Sequence, residues 1–255
     1  MIILSPAKRL SAKHPGLVPF QTIPRFKVET EAIVKELRKR NVDELMDLMR
    51  ISSKLAQENY VRFSVWQWSE AISSTLFPAL MAYDGDAYNA LKAWDFNQDM
   101  LLKAQSGLRI ISALYGILRP FDLIMPYRLE MQAPLSIKGK GNLYEFWGKK
   151  IAKVLIDDMA EQNDSLLINL ASQEYSNSIL PFLPKKIRVV APVFYQLVNG
   201  KLQFSALYAK QARGMMTRFV FENLIEDPEY LVAFQDGDYQ IDQSQSSNER
   251  LVFYR

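Results

Sequence analysis

Val189-Val-Ala-Pro-Val-Phe194 and Leu202-Gln-Phe-Ser-Ala-Leu207, set on either side of Asn199-Gly200, decide the fold class of this 255-residue chain. Asn-Gly supplies the two positive-φ residues that a two-residue hairpin turn needs, and the flanking runs are apolar enough to be strands. A hairpin at this point interrupts any strict alternation of strand and helix, so the sheet must be mixed. Upstream, Ile2 to Leu4 reads as a buried strand ending at Ser5-Pro6, and Leu80-Met-Ala-Tyr83 as one that breaks at Asp84-Gly85-Asp86. Leu108 to Tyr115 is a further apolar run, Leu166 to Leu170 a central strand, and Leu251 to Phe253 a last one.

Helical periodicity fills the intervals. It appears over Thr30 to Arg40, over Val42 to about Met49 behind the cap Asn41, and from a cap at Ser52 or Ser53 through Lys54, Leu55 and Tyr60. It returns near Ala87, over Leu143 to Met159 after the turn Lys138-Gly-Lys-Gly141, and over Lys210 to Arg218. The fold class is therefore α+β: one domain over 1–255, a mixed β-sheet surrounded by helices. No internal repeat or linker divides it.

Charge is unevenly spread. The net charge is only +3, yet no acid lies between Glu174 and Glu222, a stretch that holds Lys185, Lys186, Arg188, Lys201, Lys210, Arg213 and Arg218. Such segregation predicts one strongly positive surface and an anionic partner. As a helix, Lys210 to Arg218 puts Lys210, Arg213, Gly214, Thr217 and Arg218 on an outward side, with Ala212, Met215, Met216, Phe219 and Val220 on the docking side. A glycine there costs about 1 kcal/mol relative to alanine, which points to close approach of a ligand or of another backbone. A plain solvated face is the alternative, weakened by the lack of any acid to mix with the cations.

Composition excludes much chemistry. With no Cys there is no disulfide, thiolate metal site or thiol nucleophile, and the single His14, in a loop context, leaves multi-imidazole centres unbuildable. An oxygen-ligand site would have to use Asp84, Asp86 and Glu174, an arrangement also common in ordinary turns. No metal and no cofactor are expected. Neither a basic leader with an apolar run nor a membrane-length apolar segment is visible, so a cytoplasmic protein without a membrane partner is expected, as a monomer.

Three segments could carry function. Leu48-Met-Arg50-Ile51-Ser52-Ser-Lys54-Leu-Ala56 has the layout of a helix-hairpin-helix, whose turn offers backbone N–H groups to a DNA phosphate. Arg50 stands where a glycine would let the backbone approach, so the pattern is degenerate, and a plain helical hairpin fits as well. Arg119-Pro-Phe-Asp122 and Pro126-Tyr-Arg128-Leu-Glu130 present two arginines on a proline-stiffened loop, either to a ligand or to their own acids. Asn169-Leu-Ala-Ser172-Gln-Glu174-Tyr175 places a hydroxyl and a carboxylate at a strand end, or a helix cap.

Ser5-Pro-Ala-Lys8, Met49-Arg-Ile-Ser52 with Lys54-Leu-Ala56, Gly85-Asp86-Ala-Tyr88, and Leu114-Tyr-Gly116 with Leu118-Arg-Pro120 occur in that order, followed by Pro126-Tyr-Arg-Leu-Glu-Met131, Asn169-Leu-Ala-Ser172, Ala212-Arg-Gly214 and Ser247-Asn248. Together they resemble the YaaA family of bacterial peroxide-stress proteins over essentially the whole chain. The resemblance implies a cytoplasmic protein that limits damage from unincorporated iron and binds duplex and branched DNA through a positive cleft and a helix-hairpin-helix. It names no enzymatic activity. With no Cys and one His, any effect on iron is expected to be indirect.

The leading expectation is sequence-independent DNA binding, with Lys210, Arg213, Gly214 and Arg218 on phosphates, Lys8, Arg119 and Arg128 around the cleft, and Ser52 and Lys54 as a second phosphate site. The alternative is an enzyme acting on a nucleotide or nucleic-acid component, with Glu174 or Asp86 as acid or base and Lys210 and Arg213 as phosphate clamps. A module that binds an acidic protein is a third possibility.

Overall fold

Ile2, Ile3 and Leu4 form β1 (Ile2–Leu4), buried along its whole length because strands pair with both of its edges. The structure, a computed structural model, describes residues 1–11, 18–68 and 76–255; His14 lies outside the described residues. After β2 (Arg9–Leu10) the chain builds a helical block of α1 (Lys27–Leu37), α2 (Val42–Met49) and α3 (Ser53–Val65). Then come β3 (Phe77–Pro78), the single turn α4 (Ala79–Ala82), β4 (Tyr83–Asp84), α5 (Asp86–Leu91) and α6 (Gln98–Gly107). Strands β5 (Leu108–Ser112), β6 (Gly116–Leu118) and β7 (Leu123–Ile124) precede α7 (Leu143–Trp147) and α8 (Lys150–Glu161). Next are β8 (Leu166–Leu170), the one-turn α9 (Gln173–Ser176), β9 (Arg188–Val198), β10 (Lys201–Gln203) and the long α10 (Ala206–Glu222). Strands β11 (Gln240–Ile241) and β12 (Arg250–Tyr254) complete the sheet.

The expected α+β architecture is what the chain adopts. The sheet order is β11-β12-β9-β8-β1-β5-β6, with β10 paired to β9 off this path. The run β12-β9-β8-β1-β5 is parallel, while β6, β10 and β11 are antiparallel to their neighbours. The chain leaves β1 and returns in β5 on one side, but leaves β8 and returns in β9 on the other. Neighbouring parallel strands whose connections depart in opposite directions open a crevice beyond their carboxyl ends, so β1 and β8 form a topological switch point.

Asn199 and Gly200 take φ values of 51° and 73°, the geometry of the hairpin turn read from the sequence. The second strand is shorter than expected. It stops at Gln203, where its pairing with β9 ends, and Leu197 opposite Leu202 is 48% exposed; Leu207 already belongs to α10. Leu80 to Tyr83 is mostly the turn α4 rather than a strand, held by Ala79 N–H to Asp122 O and Leu80 N–H to Pro120 O, each 2.9 Å. The helical period over Leu143 to Met159 is broken at Gly148, whose φ of 48° ends α7.

Helices α2 and α3 form a helical hairpin. Asn41 and Glu44 make a reciprocal capping box on α2, and Ser52 caps α3. Arg50 takes the left-handed conformation (φ 51°) where a glycine would have left the turn open, and Ile51 is buried beneath it. The expected helix-hairpin-helix thus appears only as two capped helices and a closed turn. Among the described residues no helix is long and apolar enough to cross a membrane.

Candidate functional site

The β1/β8 switch point is bridged by two serines. Ser5, just after β1, accepts a hydrogen bond from Ser172 N at 2.8 Å, and its hydroxyl donates to Ser172 Oγ at 3.2 Å. Tyr88 OH donates to Ser5 O at 2.9 Å, and Gly85 lets the post-β1 loop lie against α5: a Cβ there would meet Ala7 Cβ at 2.9 Å. Lys8 and Glu174 each follow the end of their strand by four residues. A third segment, residues 126–131, closes over them.

That segment alternates as an extended chain does. Tyr127, Leu129 and Met131 are buried while Arg128 and Glu130 share the opposite side. Glu130 is therefore met by two cations, Lys8 at 3.0 Å and Arg128 at 3.3 Å. The Arg128 side chain is only 18% exposed, and its Nε is buried with no hydrogen-bond partner among the described residues. Glu174 accepts from Gln132 N at 3.3 Å. Burial, reinforced by the negative charge of Glu130, pushes the Glu174 carboxyl above the ordinary range despite that hydrogen bond and the nearby Lys8.

Tyrosines floor the crevice. Tyr127 OH lies 2.8 Å from Tyr83 OH and 2.7 Å from Ser112 Oγ at the carboxyl end of β5. Burial raises the Tyr83 and Tyr88 phenols well above their usual value and pushes Tyr127 up to about 12, so these hydroxyls stay protonated and act as hydrogen-bonding struts. The cleft above is small and is lined by Pro6, Lys8, Tyr127, Arg128, Glu130 and Tyr175. A far larger hollow lies at the amino ends of β1 and β8, lined in part by Lys103, Gln162, Asn163, Leu224 and Glu226, and there the Met1 amino group is paired with Asp164.

The predicted cations separate into two groups. Lys8 and Arg128 both pair with the single carboxylate of Glu130. Arg119 is bound to the fully buried Asp122 at 2.8 Å and to Ile23 O at 3.0 Å. Arg218 pairs with Glu222 at 2.7 Å, donates to the carbonyls of Leu91 and Lys92 at 3.2 Å, and covers the Phe96 ring; it clamps α10 to the end of α5. These four do not form the free positive trough expected of them.

Gly214 and Thr217 are buried, contrary to the outward face read from the sequence. A Cβ on Gly214 would fall 1.9 Å from Ala87 O, so the glycine is required by the backbone of α5 and cannot contact a nucleic acid. The docking face of α10 is rotated toward α5, which also turns Arg213 inward. Arg213 is half-buried without a carboxylate, and burial lowers its pKa. Among the described residues, no carboxylate pairs with Lys54, Lys185, Lys186, Lys201, Lys210 or Arg213. Lys185 and Lys186 precede β9 while Lys201 follows it, about 33 Å away at the rise of an extended strand, so not all of these converge. Lys201 follows the carboxyl end of β9, and Lys210 and Arg213 lie in the first half of α10. Ser52 and Lys54 are exposed at the α2–α3 turn.

Glu174 lies in the crevice, whereas Asp86 opens α5 near Arg9 and Asp84, whose side chains pair at 2.8 Å. No group of three His, Cys, Asp or Glu residues placed to hold a metal occurs among the described residues. Sequence reasoning did not single out Ser5 or the tyrosines, and saw Glu130 only as a partner for Arg128. The alternation over residues 127–131 was the readable signal for Glu130. Among known families, the model described as peroxide stress protein YaaA matches residues 1–245.

Proposed function

Since the chain belongs to the YaaA family of peroxide stress proteins, we propose that it protects the cell under peroxide stress by binding DNA without sequence preference. The observation that carries this reading is the set of cations without acids. A surface lysine or arginine that folding leaves without a carboxylate keeps its full charge for an external anion, and polyanions reward such charges by counterion release. Lys210 and Arg213 on α10 are the primary phosphate contacts; Ser52 and Lys54 offer a second contact at the α2–α3 turn.

Iron-dependent damage is limited indirectly. A protein coating the duplex keeps ferrous iron and the radicals it generates from peroxide away from the sugar-phosphate backbone, and the reading needs no metal site in the chain. Its place of action is the cytoplasm, where the chromosome lies.

Salt titration tests it. The dependence of log K on log salt should be steep for the wild type and should lose about 2 units of slope in the Lys210→Ala/Arg213→Ala double variant. An unchanged slope removes these residues from the interface, and the absence of any duplex binding at low salt removes the reading. Protection of a plasmid from nicking by ferrous iron and peroxide should fall in step with binding.

A further inference from the structure

We propose that the crevice between β1 and β8 is a binding site for the phosphate group of a small ligand, held by Lys8 and Arg128 with the Glu174 carboxyl set against it. Three independent observations meet there. Topology is the first, since connections that leave β1 and β8 in opposite directions make this the place where an open sheet of parallel strands receives a ligand. An unmade hydrogen bond is the second. Arg128 Nε is buried and unpartnered among the described residues, a loss that an oxyanion would repair by accepting from it.

The third is charge. Lys8 and Arg128 share the single counter-charge of Glu130, so one positive charge is left over whenever Glu174 is neutral. Lys8 Nζ and the Arg128 fork come from different segments, a disposition suited to the several oxygens of a tetrahedral anion. Glu174 is faced by Glu130 and Lys8 across the cleft, by Tyr175 beside it, and by Tyr144, whose hydroxyl donates to Glu174 O at 2.8 Å. Burial and Glu130 favour its neutral form, and an arriving anion favours it further. This site is independent of the cations assigned to DNA.

Calorimetric titration with inorganic phosphate and, separately, with a 5′-mononucleotide tests the proposal on the full chain. Saturable one-to-one binding is expected, weakened about tenfold or more in Arg128→Gln and in Arg128→Lys, which keeps the charge but lacks the fork. Tighter binding of the nucleotide would identify it as the phosphate source, and equal binding would identify free phosphate. With sulfate, whose charge is constant near neutrality, affinity should fall as pH rises in the wild type and stay flat in Glu174→Gln. Lys210→Ala should leave all of this unchanged, so failure here is distinguishable from failure of the DNA reading. No saturable binding of either probe, or undiminished affinity in both Arg128 variants, overturns the proposal.

Discussion

Two positively charged regions of this molecule were read from the sequence as one, and folding treats them differently. In the segments that follow β1 and β6, cations have acids: Lys8 and Arg128 share Glu130, and Arg119 holds Asp122. In the acid-free stretch from Tyr175 to Phe221, Arg188 reaches the Asn248 carbonyl, and Arg218 finds a carboxylate just past the border, at Glu222. Lys185, Lys186, Lys201, Lys210 and Arg213 find none among the described residues. A cation with a built-in acid serves the fold or a confined site, whereas one left without an acid is available to a partner. Segregation of charge along the chain matters because it denies a cation any neighbouring counterion of its own.

The largest expected effect tests the paired region. Asp122 is fully buried and accepts from Thr22 Oγ1, from Arg119 N and from the Arg119 guanidinium. Asp122→Ala strands Arg119 in a largely buried position and should cost about 3–5 kcal/mol in urea unfolding. A cost near zero would mean that Arg119 finds solvent easily and belongs with the available cations instead.

Next in size is the seat of the unpaired region. Gly214→Ala forces a methyl group into the Ala87 carbonyl, and overpacking of this kind should destabilise the protein by about 1–3 kcal/mol. The helix-propensity gain of alanine, about 1 kcal/mol, would dominate if the glycine served only a ligand. Thermal unfolding therefore separates the two by sign: a lowered midpoint supports packing, a raised one restores the ligand reading.

Smaller again is the pH dependence of stability from Glu174. Its carboxyl titrates above the ordinary carboxylate range, so between the unfolded and the folded pKa the native state holds more protons than the unfolded one. Stability must fall as pH rises through that window, the reverse of a salt-bridged acid. Glu174→Gln should flatten this decline and leave the variant more stable than the wild type at neutral pH; an unchanged profile would place Glu174 in open solvent.

Local rules explain what was legible. The Asn199-Gly200 turn, the Asn41 and Ser52 caps and the buried run Ile2 to Leu4 were readable because each is decided by residues close in sequence. The rotation of α10 was not, because its apolar side chains alone point to one docking face while the α5 backbone, more than a hundred residues away, claims Gly214 as well. The crevice was half visible. Lys8, Arg128 and Glu174 carried recognisable chemistry, but only the sheet order reveals that they surround one point. Tyr83, Tyr88 and Tyr127 gave no signal of their own, since a tyrosine that supports a site and one that fills a core look alike in sequence.

Arg218 gives the finest division between the regions, because it lies on the same helix as Lys210 and Arg213 yet has its own acid. Arg218→Gln removes the contacts to the Leu91 and Lys92 carbonyls and should lower stability by about 1 kcal/mol. It should leave the salt slope of DNA binding where it was, because Glu222 already cancels the charge that counterion release would count. A slope reduced by about 1 would show that a duplex strips Arg218 from Glu222, and position on α10 rather than pairing would then define the interface.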